Sequence, residues 1–593
     1  MGTASTKSHS HKKNKRSAQA ASRTKTSTPV ATPESRVPEL SERGWTIASL
    51  SILVVAAVLR LYHLSLVPFH HDEGVNGNFL VRLVRDGFYH YDPSNYHGPT
   101  LYYFSAVIAW ILRLFFGEAA QNTYGLNTST VRLVPALFGL ATVWIVLLLR
   151  RQLGTMGSLS AAALLAVSPG AIYLSRYFIH ETLFVFFTLG VVVAALKYYE
   201  DGHPVYVVLA AASAALLFAT KETIIINVPV LVLALASTWL YQWIRNHFFN
   251  QSKSSRTTDR GDSLRERIES SVHRLGGPTW LVVMGVVALL VFVGVSVLFY
   301  SSFFTNFPKG VYDSLKTFAI WTKTGRQAHV HPPFKYLEWL RLQEGFLLLL
   351  AVMGALITLW RPKNSFTLFA AFWAFGTLAA YSLVPYKTPW LVLNFIVPLA
   401  LVAGSVFQKL SERGTKLSSG AIVVILTLAI SVSSYQAIDL NFFNYDNDQK
   451  TVDAIVIGDD FKVQYAKAQY YVYVYAHTHR EMLALVDEIN RIAKITGEGN
   501  RLGVTIVSPD YWPLPWYLRD YSRVGYHGRL AASSEPIVIA GEGQVAEVQA
   551  MFGDRYRKID SGFDPAGSYR LRPGVSLLIY EREDVVESAG PRR

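Results

Sequence analysis

The sequence predicts a polytopic α-helical membrane protein that carries a soluble α/β domain at its C-terminal end. Of the 593 residues, 51% are hydrophobic and only 17% are charged, and the mean hydropathy is positive. An ordinary soluble protein is less apolar than this. Long apolar runs recur between residues 45 and 438 and stop after them. We therefore divide the chain into a transmembrane region, 45–438, and a soluble domain, 439–593.

A basic tail precedes the first apolar run. Residues 1–44 contain nine Lys or Arg against three Glu, and they are rich in Ser, Thr and Ala. Such a composition predicts disorder, and the tail lacks the apolar core of a cleaved signal peptide. The formal net charge of the chain is +14. We expect the basic tail to bind anionic membrane lipids rather than nucleic acid.

Eleven apolar runs have the length needed to cross ~30 Å of hydrocarbon. They lie near residues 45–67, 131–149, 157–175, 181–199, 204–220, 223–244, 279–302, 345–360, 365–385, 389–408 and 418–438. A further run, Pro99–Leu112, ends at Arg113 and is shorter than the ~20 residues that a span needs. We predict that it forms an interfacial helix, so that the fold has about eleven transmembrane helices plus interfacial ones.

The basic loops determine the predicted sidedness. With Pro99–Leu112 in the interface, the 245–278 loop with its seven Lys or Arg and the turn at Arg150-Arg151 fall on the same side as the tail. Loops rich in Lys and Arg stay in the cytoplasm. The pattern therefore predicts a plasma membrane protein with a cytoplasmic N-terminus, outer loops at 69–130 and 303–343, and an extracytoplasmic C-terminal domain.

The soluble domain shows the alternation of strands and helices expected of a small α/β fold. The predicted strands are Tyr470–Tyr475, Val504–Ser508, Pro536–Ala540 and Ser576–Tyr580, and the predicted helices are Arg480–Ile495 and Val545–Phe552. A role for this domain in binding an acceptor would rest on fold-level analogy alone.

Composition and motifs exclude several kinds of chemistry. The chain contains no cysteine, which excludes disulfides, thiol nucleophiles and zinc–thiolate or iron–sulfur sites. We find neither a Gly-rich P-loop nor a dinucleotide fingerprint. An enzyme at the outer face has little access to nucleotides, so it needs an activated substrate that arrives within the membrane. A polyprenyl-phosphate sugar meets that requirement.

Ionisable residues cluster at the predicted outer face, where they are costly and are therefore candidates for function. The clusters are His70-His71-Asp72-Glu73, the corner from Arg176 to Glu181, Lys221-Glu222, His329 with His331, and Tyr386-Lys387.

Several of these motifs occur in the order found in a known family. An acidic pair after a single span (Asp72-Glu73), the aromatic segment His97–Tyr103 and the segment Arg132–Gly139 resemble the dolichyl-phosphate-mannose protein mannosyltransferase family of GT-C glycosyltransferases. A narrower prokaryotic branch, labelled flippase activity-associated proteins, is similar over nearly the whole chain. The motifs that carry this second resemblance are Ser175-Arg176-Tyr177, His180-Glu181, Lys221-Glu222-Thr223, Tyr386–Leu391 and Trp512–Asp520.

The resemblance implies transfer of a sugar from a polyprenyl-phosphate donor to a hydroxyl of a lipid-linked glycan or a protein. Asp72 matches the catalytic-base position of the family, and Glu73 would orient it or hold the acceptor. Positioned bases of this kind contribute ~10²- to 10⁴-fold in rate. Cations at the outer surface would hold the donor phosphate. The donor-phosphate candidates are Arg132, Tyr386, Lys387 and His97.

The remaining ionisable residues are predicted to support the site. Arg176 with Glu181, and Lys221 with Glu222, are expected to form ion pairs that position loops. Some relatives have a Lys directly before Pro99, where this chain has Gly98, so His97 or Lys387 would have to replace that cation.

A metal is a second interpretation of the histidines. His70, His71, His329 and His331 are candidate ligands for a divalent metal, whereas the family resemblance implies that no metal is required.

Two rival functions remain open at this stage. The chain could be a lipid-linked oligosaccharide flippase or a non-catalytic subunit associated with the flippase machinery. A transporter carries charges at mid-depth along its path, yet the apolar segments 281–300, 345–360 and 418–438 contain none. This favours the enzyme. A non-catalytic scaffold is disfavoured by the outer-face carboxylates and cations.

Overall fold

A computed structural model describes residues 40–95, 97–122, 125–249, 269, 272–273, 275–324, 329–457 and 462–585. The predicted basic tail, up to residue 39, and most of the predicted 245–278 loop lie outside this part of the chain.

Apolar helices form the first three quarters of the described chain. Side chains of Ser41, Asn127, Asn364 and Thr415 cap four of them at the N-terminus, which satisfies backbone N–H groups that have no partner within the helix. The helices are α1 (Glu42–Leu61), α2 (His71–Arg85), α3 (Thr100–Asn122), α4 (Thr128–Leu148), α5 (Arg150–Leu153), α6 (Thr155–Val167), α7 (Pro169–Ser175), α8 (Glu181–Asp201), α9 (Pro204–Phe218), α10 (Ile224–Phe249), α11 (Gly277–Tyr300), α12 (Lys309–Thr324), α13 (Lys335–Gln343), α14 (Gly345–Trp360), α15 (Ser365–Leu383), α16 (Leu393–Ser411) and α17 (Lys416–Ile438).

Many of these helices can cross a membrane. Among the described residues, nine are long and apolar enough to do so, or up to eleven if each bent pair counts as one span. The bent pairs are α6 with α7, at 60°, and α13 with α14, at 111°. α9 is apolar but shorter.

The helix ends that carry the predicted cytoplasmic charges lie together at one end of the bundle. Arg150 pairs with Glu42 at 2.9 Å, Lys363 pairs with Glu412 at 3.4 Å, and the side chain of Asn364 donates to the Gln152 carbonyl at 2.7 Å. We call this the basic end. α2 lies at the opposite end, which we call the α2 end.

α3 starts and finishes at the α2 end. Gly98, just before the helix, donates to the carbonyl of Thr220 at 3.0 Å, and the carbonyl of Leu126, just after it, accepts from Arg519 at 2.8 Å. Its segment Thr100–Gly117 is apolar and longer than predicted. Both flanks of the helix nevertheless lie at the same end of the bundle, as expected for an interfacial helix. Nine to eleven candidate spans in the described part of the chain agree with the predicted polytopic fold of about eleven transmembrane helices.

The C-terminal region forms a mixed sheet with three helices, which we call the sheet domain. A six-stranded sheet has the order β4-β3-β5-β8-β6, with β7 also paired to β8, and β1 and β2 form a separate antiparallel pair. Its elements are β1 (Thr451–Ile457), β2 (Val463–Gln469), α18 (Glu481–Ile495), β3 (Val504–Ile506), α19 (Leu514–Tyr517), β4 (Val524–Tyr526), β5 (Ile537–Gly541), α20 (Val545–Phe552), β6 (Tyr556–Lys558), β7 (Tyr569–Arg572) and β8 (Val575–Arg582).

One predicted strand is wrong. Tyr470–Tyr475 forms a loop instead, because its backbone from Val472 onward bonds locally and not to a neighbouring strand: the N–H of Val472 donates to the carbonyl of Tyr470 at 3.1 Å and that of Val474 to the carbonyl of Tyr471 at 3.0 Å. The loop enters the α2 end of the bundle, where Tyr473 packs against Gly170. The same loop later contributes to the cavity described below.

Candidate active site

A cavity of about 460 Å³ lies at the α2 end, between the helical bundle and the sheet domain. Its lining brings together charged clusters that are far apart in sequence. Nine of the residues predicted from the sequence line it: His70, His71, Asp72, His97, Glu181, Lys221, Glu222, His329 and Tyr386. The other five, Glu73, Arg132, Arg176, His331 and Lys387, do not line it.

Asp72 lies in the first turn of α2. His70 is the N-cap, and its Nδ1 accepts a hydrogen bond from the backbone N–H of Asp72 at 3.1 Å. Asp72 lines the cavity and is half-buried, and its carboxylate has no hydrogen bond or ion pair with any residue that the structure describes. A carboxylate without a partner at a cavity wall is available to accept a proton from a substrate hydroxyl.

His70 has both ring nitrogens engaged. Because Nδ1 accepts from Asp72, Nε2 carries the hydrogen and donates to the carbonyl of Tyr475 at 3.0 Å. His329 is similarly bonded, with Nδ1 at 2.8 Å from the hydroxyl of Tyr475. Within the described ranges, no group of three or more His, Asp or Glu side chains is arranged to hold a metal ion.

Two of the histidines predicted for the site have a lowered pKa. Burial lowers the pKa of His71 and, outside the cavity lining, that of His331. Both imidazoles are therefore neutral at neutral pH.

Glu73 and Arg132 form a buried pair behind the cavity wall. The guanidinium Nε and Nη2 of Arg132 donate to the carboxylate at 2.7 and 2.5 Å. Its remaining N–H groups donate to the carbonyls of Leu64, Val67 and Pro68 at 2.8, 2.8 and 3.2 Å. All five donors of the guanidinium are thus engaged, and none is left for a donor phosphate. The pair fixes α2 to the loop that follows α1.

The supporting residues form different ion pairs from those predicted. Arg176 donates to backbone carbonyls of the same loop, at 2.6 Å to Tyr62 and 3.0 Å to His63, and does not pair with Glu181. Glu181 instead receives Lys221, and both side chains are nearly fully buried. The exchange arises because the start of α8 and the end of α9 lie side by side at the cavity.

Glu222 pairs with His97 rather than with Lys221. Nδ1 of His97 lies 3.0 Å from the Glu222 carboxylate, and His97 remains partly exposed while Glu222 is buried. Burial acts to raise the pKa of Glu222, but the hydrogen bond and charge of His97, with the charge of Lys221, hold it below its ordinary range. The cavity floor thus contains two carboxylates, each with a basic partner.

Lys387 is a buried cation without a carboxylate partner among the described residues. Its Nζ donates to the carbonyls of His331 at 3.2 Å and Val384 at 2.6 Å, and the side chain is about 1% exposed. Burial lowers its pKa. Its chain neighbour Tyr386 lines the cavity and pairs with Val330 through a β-bridge.

Several lining residues were not predicted. Asn76, one turn after Asp72 on α2, shares its helix face, so its position was readable from the periodicity. Trp321, Tyr475 and Arg572 also line the cavity, but they come from separate elements whose proximity depends on the tertiary fold. Local sequence pattern gives no signal for them.

Comparisons with known proteins agree with this architecture. The family model described as dolichyl-phosphate-mannose-protein mannosyltransferase matches residues 105–250. ArnT from Cupriavidus metallidurans bound to undecaprenyl phosphate is similar in structure, with a TM-score of 0.57 and 13% sequence identity, over 93% of this chain and 100% of that chain. The apo state of that protein gives a TM-score of 0.52 at 15% identity, over 93% and 99% of the two chains.

At these identities the likeness shows the fold alone: the chain has the fold of ArnT, and its residues 105–250 are similar to the mannosyltransferase family. The protein O-mannosyltransferase Pmt1-Pmt2 complex of S. cerevisiae bound to the sugar donor matches over 45% of this chain and 34% of that chain, at 17% identity and a TM-score of 0.31. No curated protein sequence matches the chain.

The family match covers only part of the candidate active site. It contains Arg132, Arg176, Glu181, Lys221 and Glu222 but not Asp72. The proposal for Asp72 therefore depends on the geometry of the cavity.

Proposed function

We propose that this protein is an integral membrane glycosyltransferase that moves a sugar from a polyprenyl-phosphate carrier to a hydroxyl of a lipid-linked glycan or a protein. The observation that carries the proposal is Asp72, whose carboxylate has no partner among the described residues and lines a cavity that also contains basic groups. The ArnT structure with undecaprenyl phosphate supports a lipid phosphate as carrier. No step of the proposed reaction needs a metal.

The proposed reaction is a displacement at the anomeric carbon. Asp72 accepts the proton of the acceptor hydroxyl as the oxygen attacks the anomeric carbon. The bond between that carbon and the phosphate oxygen breaks, and the electron pair leaves with the polyprenyl phosphate. Glu73 is buried with Arg132, so in this scheme it positions α2 and does not touch the acceptor.

Basic groups near the cavity would stabilise the phosphate as its charge increases. His97 lines the cavity, and its Nε2 is the nitrogen left for a ligand once Nδ1 is bonded to Glu222. Among the described residues, Lys387 donates hydrogen bonds to carbonyl oxygens and to no carboxylate, so a phosphate would be a stronger partner. Tyr386, the chain neighbour of Lys387, lines the cavity and would contribute its hydroxyl.

The cavity would face the outside of the plasma membrane. The helix ends of the basic end carry Arg150, Arg151, Lys197, Lys363 and Lys409, and clustered Lys and Arg favour the cytoplasm. The α2 end and the sheet domain are then extracytoplasmic, where an activated sugar has to arrive on a membrane lipid.

The test is the consumption of radiolabelled polyprenyl-phosphate sugars by membranes that contain matched amounts of each variant. We expect Asp72→Asn to lower kcat by ~10²- to 10⁴-fold, because the base is lost. Asp86→Asn, at the opposite end of α2, is the matched control and should act like the wild type. Lys387→Met should raise KM for the donor, and Lys387→Arg should restore part of the affinity.

Two results would overturn the proposal. The first is a wild-type protein that consumes no donor from a broad panel of sugars. The second is an Asp72→Asn variant as active as the wild type. Either result would favour a lipid-linked oligosaccharide flippase or a flippase-associated subunit.

A further inference from the structure

The proposed catalytic helix α2 is enclosed between the bundle and the sheet domain. On the bundle side, Asn76 donates to the carbonyl of Phe178 at 3.0 Å and accepts from the hydroxyl of Tyr102 at 2.9 Å. The other side of α2 contacts the segment Trp512–Asp520 of the sheet domain. The sheet domain contacts α2 at its start, its centre and its end.

The centre of α2 contacts the segment without space for side chains. A Cβ on Gly74 would lie 2.7 Å from Cβ of Pro513, and a Cβ on Gly77 would lie 2.6 Å from the indole of Trp516. Trp516 also stacks on Phe69, with ring centroids 4.4 Å apart. Since both glycines are needed for this approach, the indole fixes the distance between α2 and the sheet domain.

Both ends of α2 are tied to the same domain. Just before the helix, the backbone N–H of Phe69 donates to the hydroxyl of Tyr517 at 2.8 Å. At its last residue, Arg85 forms an ion pair with Asp520 and donates to the carbonyl of Arg519. These contacts limit both translation and rotation of the helix.

Arg572 links the sheet domain to the first turn of α2. Its guanidinium pairs with Asp510, donates to the carbonyl of Trp512 at 3.3 Å and approaches Nδ1 of His71 at 3.4 Å. His71 is neutral because burial lowers its pKa, so its Nδ1 can accept this hydrogen bond. His71 directly precedes Asp72, and Arg572 also lines the cavity.

We propose that the sheet domain completes the active site by holding α2, and that Trp516 and Arg572 are positioning residues for Asp72. This inference rests on the proposed glycosyl transfer. A base works only within hydrogen-bond reach of its proton, and a displacement of ~1 Å can cost about 100-fold in rate. The domain is therefore part of the catalytic unit rather than an independent acceptor-binding module.

The first experiment measures kcat and KM for the donor in Trp516 variants. Trp516→Ala should lower kcat by ~10- to 100-fold, since Asp72 is then held loosely, while Trp516→Phe retains the ring stack and should recover most of the rate. Phe552→Ala is the matched control, because Phe552 is an aromatic side chain equally buried in the sheet domain but packed in a cluster away from α2. It should leave kcat unchanged.

A double-mutant cycle separates positioning from general loss of structure. If Trp516 acts through Asp72, Trp516→Ala should cost little further activity when Asp72→Asn is already present, because residues that act as a unit are not additive. Equal losses in both backgrounds would overturn the inference. So would a Phe552→Ala variant as impaired as Trp516→Ala.

The second experiment tests the link at the first turn. Arg572→Gln should lower kcat with little change in KM, and Arg572→Lys should restore part of the rate. Arg570→Gln removes the same charge from the same strand, where Arg570 contacts His479 instead of α2, and should act like the wild type. If Arg570→Gln and Arg572→Gln lose the same activity, the assignment of Arg572 fails.

A cross-link tests whether the contact persists during turnover. The chain has no cysteine, so Arg85→Cys/Asp520→Cys introduces a unique pair that a short bis-maleimide can join. We expect the joined protein to remain active, and loss of activity on joining would show that the domain must leave α2. In each of these experiments, an inactive wild type would refute the proposed function. If the wild type is active and the Trp516 and Arg572 variants are as active as it is, only this inference is refuted.

Discussion

Asp72 and Glu73 are neighbours in the chain but lie in opposite environments. Asp72 lines the cavity without a partner among the described residues, whereas Glu73 is fully buried against Arg132. Successive positions on an α-helix point ~100° apart, and this rotation directs Glu73 to Arg132 while Asp72 stays at the cavity. The sequence predicted both carboxylates for the site, and the spatial separation of their roles required the fold.

Removing the charge of Glu73 should destabilise the protein. Glu73→Gln leaves the Arg132 guanidinium buried without a counter-charge, and breaking a buried ion pair from one side costs about 3–5 kcal/mol. Thermal unfolding in detergent should show a clearly lower midpoint for Glu73→Gln. Asp72→Asn is the control one residue away and should keep the wild-type midpoint, because its carboxylate has no partner among the described residues. Equal midpoints for the two variants would contradict the pairing.

Glu222 should make the stability depend on pH in the acid range. Its pKa is lowered in the folded state, so its contribution is fully present above the ordinary Glu value of about 4.3. That contribution is lost as the pH falls through the lower folded pKa. The unfolding midpoints of wild type and Glu222→Gln should therefore differ at neutral pH and converge in acid. A difference that stays constant down to the lowest pH would show that the His97 contact does not depend on this charge.

At the scale of elements, apolar run length predicted the helices well, and it failed where polar residues interrupt a helix without ending it. The predicted interfacial helix stopped at Arg113, but α3 continues through Leu114, Phe115 and Phe116, which are 80, 76 and 66% exposed. A long basic side chain can extend to the interface while the helix remains in lipid. The strand prediction for residues 470–475 failed for a different reason, because an apolar run alone does not distinguish a strand from a buried loop.

The structure explains why Gly98 stands where the family resemblance led us to expect a Lys. A Cβ at this position would lie 2.1 Å from the carbonyl oxygen of Ala219. Gly98→Lys, which introduces the residue that the family resemblance led us to expect, should therefore displace α3 from the end of α9 and lower the unfolding midpoint strongly. Gly285→Ala, where a Cβ meets nothing within 4 Å, should be neutral. A stable Gly98→Lys variant that binds donor more tightly would show that the backbone contact is dispensable.

At the scale of the molecule, the order of spans and their basic ends was predictable because both depend on composition alone. The assembly of the cavity was not, since it combines α2, the end of α9, the Tyr386 corner and the sheet domain. Arg572 illustrates the limit: no periodicity or motif connects it with His71, which lies 501 positions away in the chain.

The proposed sidedness can be tested by labelling single cysteines in intact cells, since the native chain contains none. Gln464→Cys, on an exposed strand of the sheet domain, should react with a membrane-impermeant maleimide from outside. Arg413→Cys, at the exposed basic end, should react only after permeabilisation. The reverse pattern would place the cavity in the cytoplasm.

The residues that line the cavity come from early and late parts of the sequence, so the site is assembled in steps as the chain is synthesised. Tyr475 and Arg572 follow every candidate span of the described residues in the sequence. The ribosome therefore delivers α2 with Asp72 first, and the bundle is inserted while one wall of the cavity is still missing. A chain interrupted after α17 has its membrane anchor but no enclosed site, so incomplete products of translation should be unable to consume the lipid-linked sugar.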